Sequence, residues 1–365
     1  MYASVLPVGL FYLLLWMPPA FESHLLLFTY LLVMTSLTRI AIGVYEVPST
    51  ALLAEFTQDY DERTELVAYR FFFGVVGGIM MGIFVFAFIF ANDPAAPGGL
   101  LDKVGYIKYA WIAAPLMALA IFISSIGTHS RVSALVHSPP PPRRGALAVA
   151  KEMFSTLFHR VNAPILFSSM LGAMSGGLYA ALGVYIQTYF WGLSANNIAT
   201  LTAGNLVGVI LAFVIVLPLS KSFGKKWTTL VLYMITLIAM VAPILLNLAG
   251  LFPGVGHPLL MPLLFIFAMI VAAAVIAAAI LNVSMVADVI EQIELSTGRQ
   301  SEGLIFSATS MVNKTISGMG VLASGFLLTL VGFPDDAKPG AVDIATVNHL
   351  ALYFVLAIMF FTLAA

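Results

Sequence analysis

The stretch "EGLIFSATSMVNKTISGMGVLASGFLLTLVGF", Glu302 to Phe333, decides the solvent of this protein and therefore its fold. After Glu302 its only charge is Lys314. A helix needs about 20 apolar residues to cross a ~30 Å hydrocarbon core, and this run is long enough. Lys314 is twelve residues past Glu302, about 18 Å along a helix that rises 1.5 Å per residue. It therefore falls near the middle of the membrane. A charge there costs at least ~2.5–3.5 kcal/mol, so it is kept only where it faces protein or water. Ser307, Ser310, Ser317 and Gly318 stand at i−7, i−4, i+3 and i+4 from it and make one polar, small-residue stripe. Two uses fit such a lysine: an ion pair that holds helices together, or a place on a substrate or coupling path.

The remainder of the chain repeats the pattern. Of 365 residues 61% are hydrophobic and 9% charged, which excludes a water-soluble surface. Ten apolar runs are predicted as spans: 1–16, 25–47, 67–91, 107–127, 162–190, 199–219, 227–249, 258–287, 302–332 and 348–365. The first lacks the basic flank of a signal peptide and reads as a span. The expected protein is an all-α, multi-pass integral membrane protein. A net charge of −1 gives no argument for nucleic acid, and the absence of cysteine excludes disulfides and thiolate metal sites.

Basic residues orient the spans. With the N-terminus of this chain inside, the cytoplasmic connections 48–66, 128–161, 220–226 and 288–301 hold ten: Arg63, Arg131, Arg143, Arg144, Lys151, Arg160, Lys221, Lys225, Lys226 and Arg299. The opposite connections hold Lys103, Lys108 and Lys338. Ten against three is a positive-inside bias. It places the N-terminus and the central loop in the cytoplasm, and the expected location is a bacterial inner (plasma) membrane.

The central loop, "THSRVSALVHSPPPPRRGALAVAKEMFSTLFHR", carries four consecutive prolines that end any flanking helix. After them Phe154, Leu157 and Phe158 could form one side of a short interfacial helix. The loop divides the chain into 1–127, a partial N-terminal bundle, 128–161, the loop, and 162–365, a six-helix C-terminal bundle. Four runs precede the loop and six follow it. Transporters are commonly two repeats of equal helix number, so the expectation is an incomplete copy of a 6 + 6 protein, ten helices of twelve. A faint internal repeat agrees. "VPSTALLAEFTQDYDERTELVAYRFF" and "LNVSMVADVIEQIELSTGRQSEGLIF" each pass from a small-apolar helix end through Ala-Glu or Ala-Asp and an acidic loop to an arginine. These are equivalent positions in the two halves.

On these segments the chain resembles the glycoside–pentoside–hexuronide:cation symporters of the major facilitator superfamily, the group that contains melibiose permease. The resemblance is carried by "VYEVPSTALLAEFTQDYDERT" with "YRFFFG" at 45–74, and by "SMVADVIEQIELSTGRQSEG" with "MVNK" at 284–314. It runs in register across the whole chain, entering at the family's third helix, and implies the two-bundle major facilitator fold. It also implies that Glu46 belongs to the sugar and cation region, and it matches Lys314 and Arg70 to the eleventh-helix lysine and the arginine opening the fifth helix. The family's main cation-binding aspartates lie on its first two helices, outside this chain. Arg39 is not part of the melibiose-type pattern.

Other charges and polar groups follow from their positions. Arg39 and Glu46 are seven residues apart and share a helix face with Thr35 and Gly43. Glu46 directly precedes Val47-Pro48, where a broken helix would expose carbonyls to a cavity. A purely structural ion pair is the alternative. With Ser310, Tyr179 and Asn282 these residues make the candidate substrate and coupling pathway. Asn282 serves equally as a helix–helix tie, and Tyr189 and Trp191 read as an interfacial belt. Gly74, Gly78 and Gly82 read as a close helix-packing stripe. Glu55, Asp288, Arg63, Arg70 and Arg299 make a candidate cytoplasmic gate, with solvated loop charges as the alternative reading.

No enzyme constellation occurs. The six histidines have no metal spacing, and no phosphate-cradling glycine loop is present. The expected function is cation-coupled symport of a sugar, glycoside or related polar solute by alternating access, with Na⁺ or H⁺ as the coupling cation and no other cofactor. The expected partners are the small-molecule solute and the lipid bilayer, with the protein acting as a monomer. A facilitator-type carrier of an amphiphile, such as a lysolipid or drug, would have a more apolar cavity. A non-transporting membrane scaffold would lack charged stripes facing the bundle interior.

Overall fold

The computed structural model describes residues 1–55, 60–90, 103–132, 163–297, 302–334 and 337–365, and among these residues the regular structure is helical. The helices are α1 (Val5–Trp16), α2 (His24–Glu55), α3 (Tyr60–Phe84), α4 (Lys103–Val132), α5 (Ala163–Tyr185), α6 (Ala195–Phe223), α7 (Lys225–Leu248), α8 (Leu260–Thr297), α9 (Glu302–Leu330) and α10 (Ile344–Ala364). In hydrocarbon every backbone N–H and C=O needs an internal partner, which is why runs of this composition become helices. Helices α2 to α10 each contain a segment long and apolar enough to cross a membrane. The run expected at 1–16 is shorter: a 3₁₀ turn at Tyr2–Ser4 leads into the 12-residue α1. At about 18 Å, α1 is shorter than the core it was expected to cross.

Pro48 does not break α2. The helix continues for seven residues beyond it, to Glu55. Proline removes one backbone donor, whereas ending the helix there would release several groups that lipid cannot satisfy. The helix break expected beside Glu46 is therefore not made. Helix α8 likewise extends beyond its apolar run, to Thr297. The acidic segments of the internal repeat thus begin as continuations of α2 and α8.

The chain divides into two compact units, Met1–Pro141 and Pro142–Ala365. In the first, α1 packs against α4 and α2, and Val8, Ala41 and Ile121 form its buried centre. Helix α3 touches α2 over a small area. Around Gly74 and Gly78 nothing lies within 4 Å of where a Cβ would stand, so the expected close packing is not made there among the described residues.

In the second unit close packing falls on other glycines. Helix α6 lies on α8, α9 on α5, α7 on α8, and α10 on α5 and α7. A Cβ at Gly208 would collide with the Met269 carbonyl, and one at Gly204 would stand 3.1 Å from the Phe265 ring. In a membrane, helices gain no hydrophobic drive from meeting each other, so backbone approach through small residues carries the association. The core behind this contact is Ala212, Val216, Leu232, Ala274, Ala277, Ala278 and Leu281. Helices α6 and α7 are joined by the single residue Gly224, at φ 75° and ψ 155°, a conformation essentially reserved for glycine.

Candidate functional site

Lys314 is placed by the residue before it. Ser169 of α5 donates a 2.6 Å hydrogen bond to Oδ1 of Asn313 on α9. One and two turns further on, backbone meets backbone: a Cβ on Gly177 would collide with the Ser317 carbonyl, and one on Gly320 with the Met174 carbonyl. Leu166 is buried at the same seam against Met170 and Val312. These contacts fix which line of α9 faces α5. Successive helix residues are about 100° apart, so Lys314 is turned about 100° from that line. It is exposed on the flank of α9, with Ser310 and Gly318 exposed beside it.

The sequence stripe is therefore divided. Ser317, counted with Lys314 by spacing alone, is partly buried at the α5 seam. The side chain of Ser307 lies outside the described residues. Ser310, Lys314 and Gly318 remain together.

The first unit repeats this device. Tyr45 of α2 donates a 2.9 Å hydrogen bond to Oγ of Ser124 on α4. Ala41 and Tyr45 pack at the Val8 and Ile121 core, and Thr38 is buried on the same line with its hydroxyl bonded to the Met34 carbonyl at 2.7 Å. Glu46, next after Tyr45, is exposed, as is Arg39 two turns earlier. Both lie about 100–120° around α2 from its packing line. In each unit, then, an anchored polar residue immediately precedes an exposed charged residue.

Three further expected site residues are placed as follows. Asn282 of α8 donates a hydrogen bond to the Tyr233 hydroxyl of α7, so it ties helices together. Arg70 stands where its apolar span begins. It lies ten residues into α3 and two before the apolar window Phe72–Ile89. Tyr179 is partly buried inside the second unit, with its ring 6.2 Å from that of Phe354.

Tyr179 lines a cavity of about 90 Å³, together with Gly183, Gln187, Trp191, Pro243 and Phe354. Sequence reading missed this cavity. A π-helical turn, Ile186–Phe190, closes with a 3.0 Å bond from the Trp191 N–H to the Ile186 carbonyl. It adds a residue to the turn and shifts the following side chains around the axis. Trp191, expected at the interface, is consequently buried, with its ring 5.6 Å from Phe252. Tyr189 donates a 3.0 Å bond to the Ala337 carbonyl and sets its ring against Phe333. No periodicity in the sequence marks a π turn, so the cavity carries no signal there.

Of the gate residues, Glu55, Arg63 and Asp288 belong to α2, α3 and α8, but their side chains lie outside the described residues, as does the whole of Arg299. The interfacial helix expected around Phe154–Phe158 also lies outside them.

Comparison with known proteins agrees with this architecture. The family model described as MFS/sugar transport protein matches residues 1–365. A protein of Synechocystis sp. described as an uncharacterised symporter is 21% identical, over 93% of this chain and 75% of its own length.

Proposed function

The chain belongs to the MFS/sugar transport protein family, and on that premise we propose that it moves a sugar, glycoside or related polar solute across the membrane by alternating access, coupled to Na⁺ or H⁺. That it is a multi-pass membrane transporter follows from the family and from its apolar helices. Symport is supported by the likeness to the Synechocystis protein, itself described as a symporter.

The observation that carries the finer reading is the position of Lys314. It stands mid-helix in an apolar span, exposed, one residue after the Asn313 that Ser169 holds. A mid-membrane ammonium is tolerated only beside water or an acid. In this reading Lys314 balances the carboxylates that take part in coupling and changes partner as the cation binds. Coupling requires an interaction that differs between states. Glu55 and Asp288 pair with Arg63 and Arg299 when the cytoplasmic side is closed and release them as the halves rock.

The experiment is Lys314→Met in proteoliposomes, read as concentrative uptake and as solute exchange at equal concentrations. The expected result is loss of concentrative uptake with exchange retained. Wild-type accumulation by the variant would leave the lysine a structural role and remove the basis for the coupling assignment.

A further inference from the structure

The first unit carries a groove that the transport reading does not use. It lies between α1 and α4, encloses about 370 Å³, and is lined by Val5, Leu6, Gly9, Leu10, Leu13, Trp111, Ala114, Pro115 and Ala118 without one polar side chain. Gly9 opens its floor: a Cβ there would stand 3.4 Å from the Ala114 carbonyl and from the Ala118 methyl. Its rims stay open, with Leu6 81%, Leu10 54% and Trp111 58% exposed. The two helices run antiparallel, since Tyr12 meets Tyr109 and Tyr2 reaches the Ser125 carbonyl. From Val5 to Leu13 the groove follows nine residues of helix, about 12 Å, most of the ~15 Å depth of one leaflet.

Its chemistry changes at one end. Lys108 lies three residues before Trp111 and seven before Pro115, on the groove side of α4, and it is exposed. Among the described residues no acid pairs with it. Lysine runs its apolar stem along such a surface and keeps its ammonium at headgroup level. Lys103 follows at the same end of the helix. An apolar slot one leaflet deep, with an ammonium at its mouth, matches a molecule whose acyl chain and anionic headgroup are joined.

We propose that the α1–α4 groove is a binding site for an anionic phospholipid, its acyl chain along Gly9, Ala114 and Ala118 and its phosphate at Lys108. Trp111 reports on the site directly. The protein is reconstituted with phosphatidylglycerol or phosphatidylcholine brominated in one acyl chain, and the tryptophan quenching lost in Trp111→Phe is assigned to the groove. The expected result is about a fivefold preference for the anionic lipid, the factor for one lysine at an anionic lipid surface. Lys108→Gln removes the preference and Lys108→Arg keeps it. Equal quenching by both lipids would reduce the groove to ordinary lipid contact. Absence of quenching by either would mean that protein covers it, and each of these results overturns the proposal.

Discussion

Ser169 and Asn313, 144 residues apart in the chain, meet in a 2.6 Å hydrogen bond that joins α5 to α9 one residue before Lys314. Hydrogen bonds between membrane helices contribute about 0.6 kcal/mol on average and up to ~1.7 kcal/mol. Ser169→Ala should therefore lower the unfolding free energy in detergent by about that range. Its effect on uptake should be larger than this loss implies, because the bond also sets the rotation of α9. Thermal unfolding and uptake measured on the same preparation check this. Unfolding and uptake falling only in proportion would show that the bond serves stability alone.

Two glycines two residues apart on α9 should respond oppositely to one methyl group. At Gly320 a Cβ collides with the Met174 carbonyl, a backbone atom that cannot turn aside, whereas at Gly318 nothing lies within 4 Å. Gly320→Ala is expected to destabilise by about 1–3 kcal/mol, the usual cost of overpacking. Gly318→Ala should be neutral or slightly stabilising, since glycine in a helix interior costs about 0.5–1 kcal/mol relative to alanine. Melting temperatures of the two variants in detergent decide the matter.

The absence of cysteine makes the open flank of α9 directly testable. Single substitutions Ser310→Cys, Lys314→Cys and Gly318→Cys should react with a water-soluble thiol reagent if that flank borders an aqueous path. Asn313→Cys and Gly320→Cys, on the α5 seam, should react at least tenfold more slowly. Uniformly slow reaction at all five positions would place the flank in lipid or in a dry contact, and the coupling role of Lys314 would fail with it.

Asn282 and Tyr233 should behave as a coupled pair in stability. A double-mutant cycle with Asn282→Leu and Tyr233→Phe is expected to return a coupling of about 0.6–1.7 kcal/mol. Solute affinity should be unchanged in Tyr233→Phe, because the hydroxyl is engaged by Asn282 between α7 and α8. A raised half-saturation concentration without lost stability would place Asn282 on the solute path.

What the sequence by itself determined here is the solvent and the elements. Apolar length decides helix in hydrocarbon, because no other local structure satisfies its own backbone, and so the runs around Lys314, Asn282 and Glu46 were all legible. Spacing also placed Ser310 and Gly318 beside Lys314. Tertiary structure decided which line of each helix is covered. Spacing grouped Ser317 with Lys314, but the approach of Gly177 turned Ser317 into the α5 seam. The glycines expected to pack, Gly74 and Gly78, meet no neighbour among the described residues, while Gly208 and Gly320 make close contacts. Trp191 went inward because a π turn re-phased its helix. The reason is common to all three. In a membrane both faces of a helix can be apolar, so hydrophobic pattern no longer says which face is buried, and only contact with a particular neighbour does.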